Sequence, residues 1–430
     1  MKVRLLLLYL LISIYTPLLA QFNQPSPKYE ARAVWLTTIG GIDWPHSYAQ
    51  TPSSIDRQKR ELVAILDKLQ KAGINQVLLQ TRIRATTIYP SVYEPWDGCL
   101  SGRPGKSPGY DALAFAIDEC HRRGMELHAW VVAIPVGKWN GAGCRNLRKR
   151  NLKMLKRIGD EGFLNPEMPQ TAGYIADICE EIVRNYDVDG IHLDYIRYPE
   201  NWNIKVTPTQ GRSFITRIVK AIHDRIKPIK PYVKLSSAPI GKHDDLTRYQ
   251  SYGWNAYRRV CQDAQGWLRD GLMDQLFPMM YFQGRQFFPF AIDWSENSYG
   301  RIVTPGLGIY FLSPKEKDWP LEIISREMHV LRQYGLGHAF FRSKFFTDNT
   351  KGIYDFTLKH NASPALVPPM TWASSTAPAA PTCLALGRNH VLTWQKTVTG
   401  GDIYYNVYSS PSHPVAVSYT HLTLPTKLEV

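Results

Sequence analysis

The chain has 430 residues, of which 44% are hydrophobic and 20% are charged, and its formal net charge is +14. That balance is typical of a folded globular protein and excludes a chain that is disordered throughout. The length allows a barrel of roughly 250 to 350 residues together with an appendage. The positive charge favours anionic polymers as partners, but without a nucleic-acid motif we expect no nucleic-acid partner.

The first 20 residues have the layout of a secretory signal peptide. A short basic start precedes an apolar run, and the small residue Ala20 stands before a polar lead that contains proline. We therefore predict a signal peptide over residues 1–20 and a protein that is exported, either to the periplasm or out of the cell. No transmembrane segment is expected, because no apolar run is long enough to span a bilayer. In an oxidising compartment one or two cysteine pairs could bridge, for example Cys99 with Cys144.

From residue 31 onward, strand-like and helix-like segments alternate along the chain. Strands are predicted at 31–38, 74–80, 125–133, 190–195, 232–238, 273–282, 302–310 and 337–342. Helices are predicted at 54–72, 108–124, 171–186, 208–226, 254–269 and 321–334. Eight strands separated by helices indicate an α/β fold, a (β/α)8 TIM barrel over residues 28–362. A doubly wound open sheet is the alternative, but no Gly-rich phosphate turn follows the first strand. The loops after strands one to five are long, which places the candidate active site at that end of the barrel.

A linker and a partial second domain are predicted after the barrel. Residues 363–381 are rich in Pro, Ala, Ser and Thr, which is typical of a linker. Beyond it, residues 391–394 and 404–408 resemble the opening strands of a fibronectin type III-like β-sandwich. Such a sandwich needs roughly 100 residues and about seven strands. We therefore predict that residues 382–430 form a truncated, incomplete fibronectin type III-like segment.

The strongest local pattern is the segment DGIHLDYIRYP at residues 189–199. Alternate side chains of a strand point to opposite faces, so the two apolar residues inside this strand suit the helix-covered outside of the barrel. His192 and Asp194 then point into the barrel, where an unpaired carboxylate is costly. A charged group at the carboxyl end of a barrel strand indicates catalysis. The alternative is a structural anion that pairs with an arginine, either Arg82 or Arg197.

The same alternation on neighbouring strands brings more polar and aromatic groups to this opening. His128 and Trp130 alternate with apolar residues on the third strand, as Gln80 and Arg82 do on the second. Tyr281, near the end of the sixth strand, is predicted at the rim. Several such groups on adjacent strand ends indicate a ligand site more strongly than one isolated buried histidine does.

The chain resembles glycosyl-hydrolase-like family ten in a series of ordered segments over residues 30–355. The matching segments are 32–38, 42–45, 80–82, 89–96, 127–130, 189–199 and 306–310. The resemblance implies a barrel that hydrolyses glycosidic bonds, with peptidoglycan glycan stripped of its stem peptides as one substrate class. Many relatives have a second aspartate where this chain has Tyr195, and Ala133-Ile134-Pro135 stands where Asn-Pro-Tyr is common in the family.

Glycoside hydrolysis normally requires two carboxyl groups, one on each side of the scissile bond. Asp194 is predicted as the first. Glu94, in the loop after the second strand, is predicted as the second, because an apolar setting would raise its pKa and suit it to act as the acid. The alternatives for the second carboxyl are Asp43, Asp244 and Asp245. The side chains predicted to bind substrate are Asp43, Trp44, Gln80, Arg82, Trp96, His128, Trp130, His192, Tyr195, Arg197 and Tyr281.

Two other functions fit the same residues. The tyrosine at position 195 leaves open a non-catalytic barrel that only binds glycans. His128, His192 and Asp194 are potential metal ligands and leave open a metal-dependent hydrolase, although no H-x-H or H-E-x-x-H spacing supports it. We predict no metal site and no cofactor, and a polysaccharide or peptidoglycan glycan as the partner.

Overall fold

The computed structural model describes residues 27–375, 379–388 and 391–397, together with the strands at 407–409 and 421–423. The predicted signal peptide lies outside the described residues. Within these ranges, no helix is long and apolar enough to cross a membrane.

Eight parallel strands form the predicted barrel. They are β1 Arg32–Leu36, β2 Gln76–Arg82, β3 Glu126–Val132, β4 Gly190–Asp194, β5 Lys234–Ser237, β6 Gln275–Leu276, β7 (Ile302–Val303 with Gly306–Leu307) and β8 His338–Phe340. Each strand pairs in parallel with the next, and β8 pairs with β1. The two halves of β7 close the ring, because the first pairs with β6 and the second with β8. Pro305 lies between these halves and has no N–H to donate, which explains why the predicted strand 302–310 is interrupted.

Helices cover the outside of this ring. They are α1 Pro52–Lys71, α2 Ala112–His121, α3 Pro169–Asn185, α4 Pro208–Ile226, α5 Ala264–Arg269, α6 Phe288–Glu296, α7 Leu321–Gln333 and α8 Ile353–His360. A capping box between Thr51 and Ser54 starts α1 at Pro52, two residues before the predicted start at residue 54. The single helix predicted at 254–269 is wrong: two short helices, Ala256–Arg259 and α5, replace it, and Cys261 between them has a φ of 58°.

Three loops carry structure of their own. Short helices lie at Gly98–Ser101, Ala142–Asn151 and Ser343–Thr347. The loop after β3 also contains an antiparallel sheet of Pro135–Lys138, Leu155–Ile158 and Glu161–Leu164, which the sequence did not predict. Cys99 and Cys144 are both buried and are not bridged. The long loops therefore build an ordered collar on the carboxyl ends of the strands.

The segment after the barrel remains attached to the end where the strands begin. Leu366 accepts a hydrogen bond from Glu30 N at 2.9 Å, and the Trp372 indole donates to Asp274 at 2.8 Å. Further on, Thr382–Leu386 pairs antiparallel with Leu392–Gln395, and Val407–Ser409 with His421–Thr423. These are two separate two-stranded sheets, so the fibronectin type III-like sandwich stays a prediction.

The strand alternation divides the apolar core into two layers. Leu127, Ala129 and Val131 of β3 belong to the large core between the strands and the helices. Trp130 belongs to a smaller cluster inside the ring, together with Trp35 and Phe277. The predicted orientation of β3 is therefore confirmed, and the barrel interior is filled by large aromatic side chains rather than open.

A hydrogen-bonded polar layer closes the end of the barrel where the strands begin, which we call the lower end. Gln76 and Gln275 exchange amide hydrogen bonds of 3.2 and 3.0 Å across the interior. Glu126 accepts from Lys234 at 2.7 Å and lies 3.1 Å from His128 Nε2. Burial alone would raise the pKa of Glu126, but Lys234 and His128 outweigh it and hold the pKa at about 2. Ligands can therefore reach the interior only from the opposite end.

Replacing Gly190 by alanine should destabilise the fold by about 1–3 kcal/mol, because the new β-carbon would lie 2.5 Å from Nδ1 of the buried His128 ring. Urea unfolding of the Gly190→Ala protein measures this loss. Gly173→Ala is the matched control: this glycine lies inside α3 with open space beside it, so alanine should stabilise the fold slightly. Equal stability of the two variants would contradict the close approach.

Candidate functional site

Asp194, the last residue of β4, lies at the upper opening of the barrel. One carboxylate oxygen accepts from the Trp130 indole at 3.2 Å and the other from the Tyr195 amide at 2.7 Å. Burial raises the pKa of Asp194, although the charge of Arg197 and these two hydrogen bonds oppose the shift. Asp194 is 9% exposed to solvent. Asp194 is thus a carboxyl group with a raised affinity for a proton and a narrow path to solvent.

The chain turns sharply after Asp194. Tyr195 has a φ of 51°, in the left-handed region that is unfavourable for a residue with a side chain. This turn directs the Tyr195 amide back to the carboxylate, so the strained residue fixes the orientation of Asp194. The Tyr195 ring lies 4.4 Å from the Arg197 guanidinium. Arg197 does not bond Asp194; instead it donates to Glu200 at 2.6 Å.

Aromatic side chains form the opposite side of the opening. Tyr281, after β6, lies 5.4 Å from Phe341, after β8, and 5.8 Å from Tyr310, after β7. Burial raises the pKa of Tyr281, and Tyr310 and Asp194 add to the shift, so its hydroxyl stays protonated as a donor. We call the opening ringed by Trp130, Asp194, Tyr195, Tyr281 and Phe341 the mouth. A single carboxyl facing half-buried rings suits a ligand with both hydroxyl groups and flat apolar faces.

His192 lies below the mouth and is fully buried. Its Nε2 lies 3.1 Å from the Trp35 indole nitrogen, which can only donate, so the ring proton is on Nδ1 and faces Ser236 at 3.1 Å. Burial lowers the pKa of His192 well below its usual value, so the ring is neutral. Both nitrogens are occupied, and His192 supports the floor of the mouth rather than reaching a ligand or a metal.

Arg82 does not face the mouth, contrary to the alternation argument. The register between β2 and β3 shifts by one residue after Gln80, which pairs Arg82 with the outward-facing Val131. Its guanidinium donates to both oxygens of Glu94 at 2.7 to 3.1 Å, and Tyr174 of α3 donates to the same carboxylate at 2.7 Å. Both charged side chains are almost completely buried. Glu94 therefore belongs to a structural ion pair between the barrel and its helices.

Other predicted site residues hold the loops at the mouth. Asp43, 3% exposed, accepts from Thr37 N at 2.9 Å and Lys344 N at 3.0 Å, and it also bonds Arg342. Gln80 accepts from the amides of residues 38 and 39. These contacts tie the loop after β1 to the loop after β8 and to β2 itself, and they leave Asp43 without an open face.

Several further predicted residues lie away from the mouth. Trp44 is fully buried, and its indole donates to Gln58 O at 2.9 Å. His128 is fully buried in the lower polar layer. Trp96 is half-buried against the main core. Of the remaining acid alternatives, Asp244 bonds Arg258 and Asp245 accepts from Gly253 N, so both order the loop after β5.

His128, His192 and Asp194, the alternative metal-ligand trio, are not brought together into a cluster. Among the described residues, three potential ligands approach one another only at Glu30, His338 and His360, at the lower end of the barrel. There Arg32 and Arg332 donate to the Glu30 carboxylate at 2.6 to 2.8 Å. Two guanidinium groups on the same carboxylate disfavour a cation, and the Glu30 cluster is best explained as a structural ion-pair network.

Beside the mouth, a cleft of about 580 Å³ opens between the loops after β1, β2 and β3. Ile39, Ile83 and Val136 line it, and so do Arg84 and Tyr48. Burial and Asp194 raise the pKa of Tyr195, while the charge of Arg84 is among those that oppose the shift. Arg84 thus acts electrostatically on Tyr195. The loop after β3, which lines the cleft, begins beside Asp194, since Ala133 N donates to Asp194 O at 2.8 Å.

Comparisons with known proteins fit this geometry. The sequence model of the family described as "Glycosyl hydrolase-like 10" matches residues 30–210 and 209–311. The chain belongs to the glycosyl hydrolase-like 10 family. It is 31% identical over 390 residues to glycosyl hydrolase YngK of Bacillus subtilis, covering 82% of this chain and 76% of YngK. It is 29% identical to glycosyl hydrolase DigH of Escherichia coli over 58% of this chain and 65% of DigH.

Solved structures share the fold at low sequence identity. The glycoside hydrolase domain of PgaB (BpsB) from Bordetella bronchiseptica has a TM-score of 0.52 at 12% identity, over 76% of this chain and 99% of that domain. An α-L-fucosidase from Paenibacillus thiaminolyticus has a TM-score of 0.53 at 14% identity, over 78% of this chain and 49% of that one. The (β/α)8 barrel of this chain is thus similar in fold to the barrels of these two glycosidases.

The sequence analysis missed four residues around the mouth of this family member. Tyr310 and Phe341 follow the seventh and eighth strands, where the argument from alternation was not applied. Glu200 follows the 189–199 segment by one residue, and an acid that close to a catalytic candidate was a usable signal. Arg84 lies two residues beyond Arg82 but is exposed. The register shift after Gln80 explains why strand alternation alone could not place it.

Glu94 and Asp194 should differ sharply in their effect on stability. Glu94→Gln leaves the buried Arg82 without its counter-ion and should lower the free energy of unfolding by about 3–5 kcal/mol. Asp194→Asn removes a carboxyl whose ionisation is disfavoured by burial, so it should change stability by less than about 1 kcal/mol. Chemical denaturation at neutral pH measures both. Unaltered stability of Glu94→Gln would mean that the pair is not structural.

Proposed function

We propose that the protein is an exported glycoside hydrolase that cleaves O-glycosidic bonds of a polysaccharide. The observation that carries this proposal is Asp194, a carboxyl group without a bonded cation, held at an aromatic mouth with its pKa raised. Membership of the glycosyl hydrolase-like 10 family supports the reaction class. Peptide-free glycan strands of peptidoglycan are the first substrate to test, because the family resemblance implies them.

In the proposed mechanism Asp194 is the general acid. Burial favours the protonated form of this carboxyl, which can give its proton to the leaving glycosidic oxygen as the bond from that oxygen to the anomeric carbon breaks. The departing sugar thereby gains a hydroxyl, and water supplies the new oxygen on the anomeric carbon while its released proton passes to a carboxylate of the pair. Trp130 and the Tyr195 amide hold the two oxygens in place before substrate arrives. The rings of Tyr281 and Phe341 would receive the sugar faces on the other side. These groups bind and orient, while the proton moves from Asp194.

Glu200 is the proposed second carboxylate, in place of Glu94. It is half-exposed, bonds Arg197 through one oxygen, and lies near enough to raise the pKa of Asp194. Burial alone would raise the pKa of Glu200, but the hydrogen bond and charge of Arg197 outweigh it and lower the pKa. Two neighbouring acids whose pKa values are moved apart suit an acid and a base or nucleophile. Arg197 would keep the second one ionised.

A glycan-binding barrel without catalysis is the second candidate. Tyr195 favours this candidate, because many relatives have a second aspartate at that position, directly beside the residue that matches Asp194. The burial of Glu94 also favours it, because the carboxylate first expected to complete the pair is locked to Arg82. Binding without product formation would identify this candidate.

Asp194→Asn should reduce hydrolysis by about a hundredfold or more, because the amide cannot donate the required proton. The measurement is mass analysis of soluble products from peptide-free cell-wall glycan and from plant polysaccharides, with wild type and variant side by side. Since the variant should keep its stability, the loss can be assigned to chemistry. Equal turnover by the two proteins would refute the role of Asp194.

The pH profile of kcat/KM should be bell-shaped. Activity needs Asp194 protonated, so it falls as pH rises through the raised pKa of Asp194, and it needs Glu200 ionised, so it falls as pH drops through the lowered pKa of Glu200. Glu200→Gln should lower kcat about a hundredfold and abolish the acidic limb. Glu180→Gln is the matched control, because Glu180 also bonds arginines and has a lowered pKa but lies on α3 outside the barrel. An acidic limb that survives Glu200→Gln would remove Glu200 from the mechanism.

A further inference from the structure

Tyr48, in the loop after β1, is a ring held against the wall of the cleft with its other side open. A β-carbon placed on Gly102 would lie 2.9 Å from the Tyr48 ring, so the ring packs directly on the glycine backbone. Gly102 has a φ of 75°, which suits glycine and leaves the space that the ring occupies. Tyr48 is nevertheless 58% exposed. The ring therefore lies against Gly102 near its Cγ and Cδ2 atoms, and its exposed part lines the cleft.

The backbone around Tyr48 is fixed on both sides. Ala49 N donates to Leu100 O at 2.7 Å, and Gln50 Nε2 donates to Ser101 O at 3.2 Å. Gln58 of α1 bonds Ser47 O and also Leu100 O. The segment that carries Tyr48 is therefore bound to the 98–102 helix, and the ring loses little freedom when a ligand stacks on it. Such preorganisation favours binding over a flexible exposed ring.

We infer that the cleft is a distal sugar subsite in which a pyranose ring of the same glycan chain stacks on Tyr48 while the scissile bond lies at Asp194. This inference rests on the proposed function, because it places a second unit of the same polymer. The loop after β3 lines the cleft and begins beside Asp194, which is paired with Val132 at the end of β3. The cleft volume of about 580 Å³ lies within the range of small-ligand sites, roughly 300 to 1,000 Å³.

Stacking, rather than charge, is the recognition that the cleft offers. Arg84 and Lys138 line it, but each already has a carboxylate partner, Glu161 at 3.7 Å and Asp160 at 2.7 Å. Each cation is thus already near a carboxylate, and the exposed Tyr48 ring is the feature of the cleft wall that can pack against a ligand. The carbon-bound hydrogens of a pyranose present a flat apolar surface that fits an aromatic face. Gly40 and Gly41 on the cleft wall have open space beside their α-carbons, which leaves room for the substituents.

The test compares short and long peptide-free cell-wall glycan chains by calorimetric titration of Asp194→Asn protein, which should bind without cleaving. Adding Tyr48→Ala should weaken binding of long chains by about five- to tenfold and leave a disaccharide unchanged. Tyr48→Phe should keep full affinity, because the ring remains. Tyr334→Ala is the matched control, since Tyr334 is 42% exposed at the end of α7, near the start of β8 and so at the other end of the barrel.

The outcomes separate this inference from the proposed hydrolase. If wild-type protein cleaves glycan but Tyr48→Ala binds long chains normally, the subsite is refuted and the hydrolase stands. If affinity rises with chain length and Tyr48→Ala abolishes that rise, the subsite is supported. This holds even when wild-type protein releases no product, a result that would refute the proposed catalysis but not the subsite. Loss of disaccharide binding in Tyr48→Ala would mean that the ring acts at the mouth, and the distal placement would be wrong.

Discussion

The burial of Asp194 without a bonded cation is the constraint on which the site depends. A carboxyl in that position resists ionisation, and only two donors, the Trp130 indole and the Tyr195 amide, compensate it. Some other buried carboxylates have arginine or lysine partners, as Glu94, Glu30 and Glu126 do. Glu327 is also buried without a bonded cation, but it lies on the covering helix α7. Asp194 is therefore distinguished by its burial together with its position at the mouth, a setting suited to exchange a proton.

Rigidity below the mouth supports this arrangement. Trp35, His192 and Ser236 form a hydrogen-bonded series, in which a donor at each step leaves one tautomer of the histidine possible. The amide and carboxylate network of the lower layer then seals the interior. Because the side chains of both layers are held by hydrogen bonds, the floor under Asp194 is fixed.

The sequence predicted the strand order, the barrel and the inward direction of Trp130, His192 and Asp194, because period-two alternation is a local property. It placed Arg82 and Glu94 wrongly, since a one-residue register shift between paired strands cannot be read from either strand alone. The predicted helix at 254–269 failed where Cys261 adopts a left-handed conformation. Loop residues such as Tyr48 gained meaning only from distant partners, here Gly102.

The attachment of Trp372 to Asp274 has a bearing on how a polymer could be handled. Asp274 immediately precedes β6, so the polypeptide after the barrel departs from the end opposite the carboxyl termini of the strands. At Trp372, therefore, it does not cross the approach to Asp194. A long saccharide could lie over the upper surface with both ends extending past the protein. Cleavage in the middle of a glycan chain requires such access.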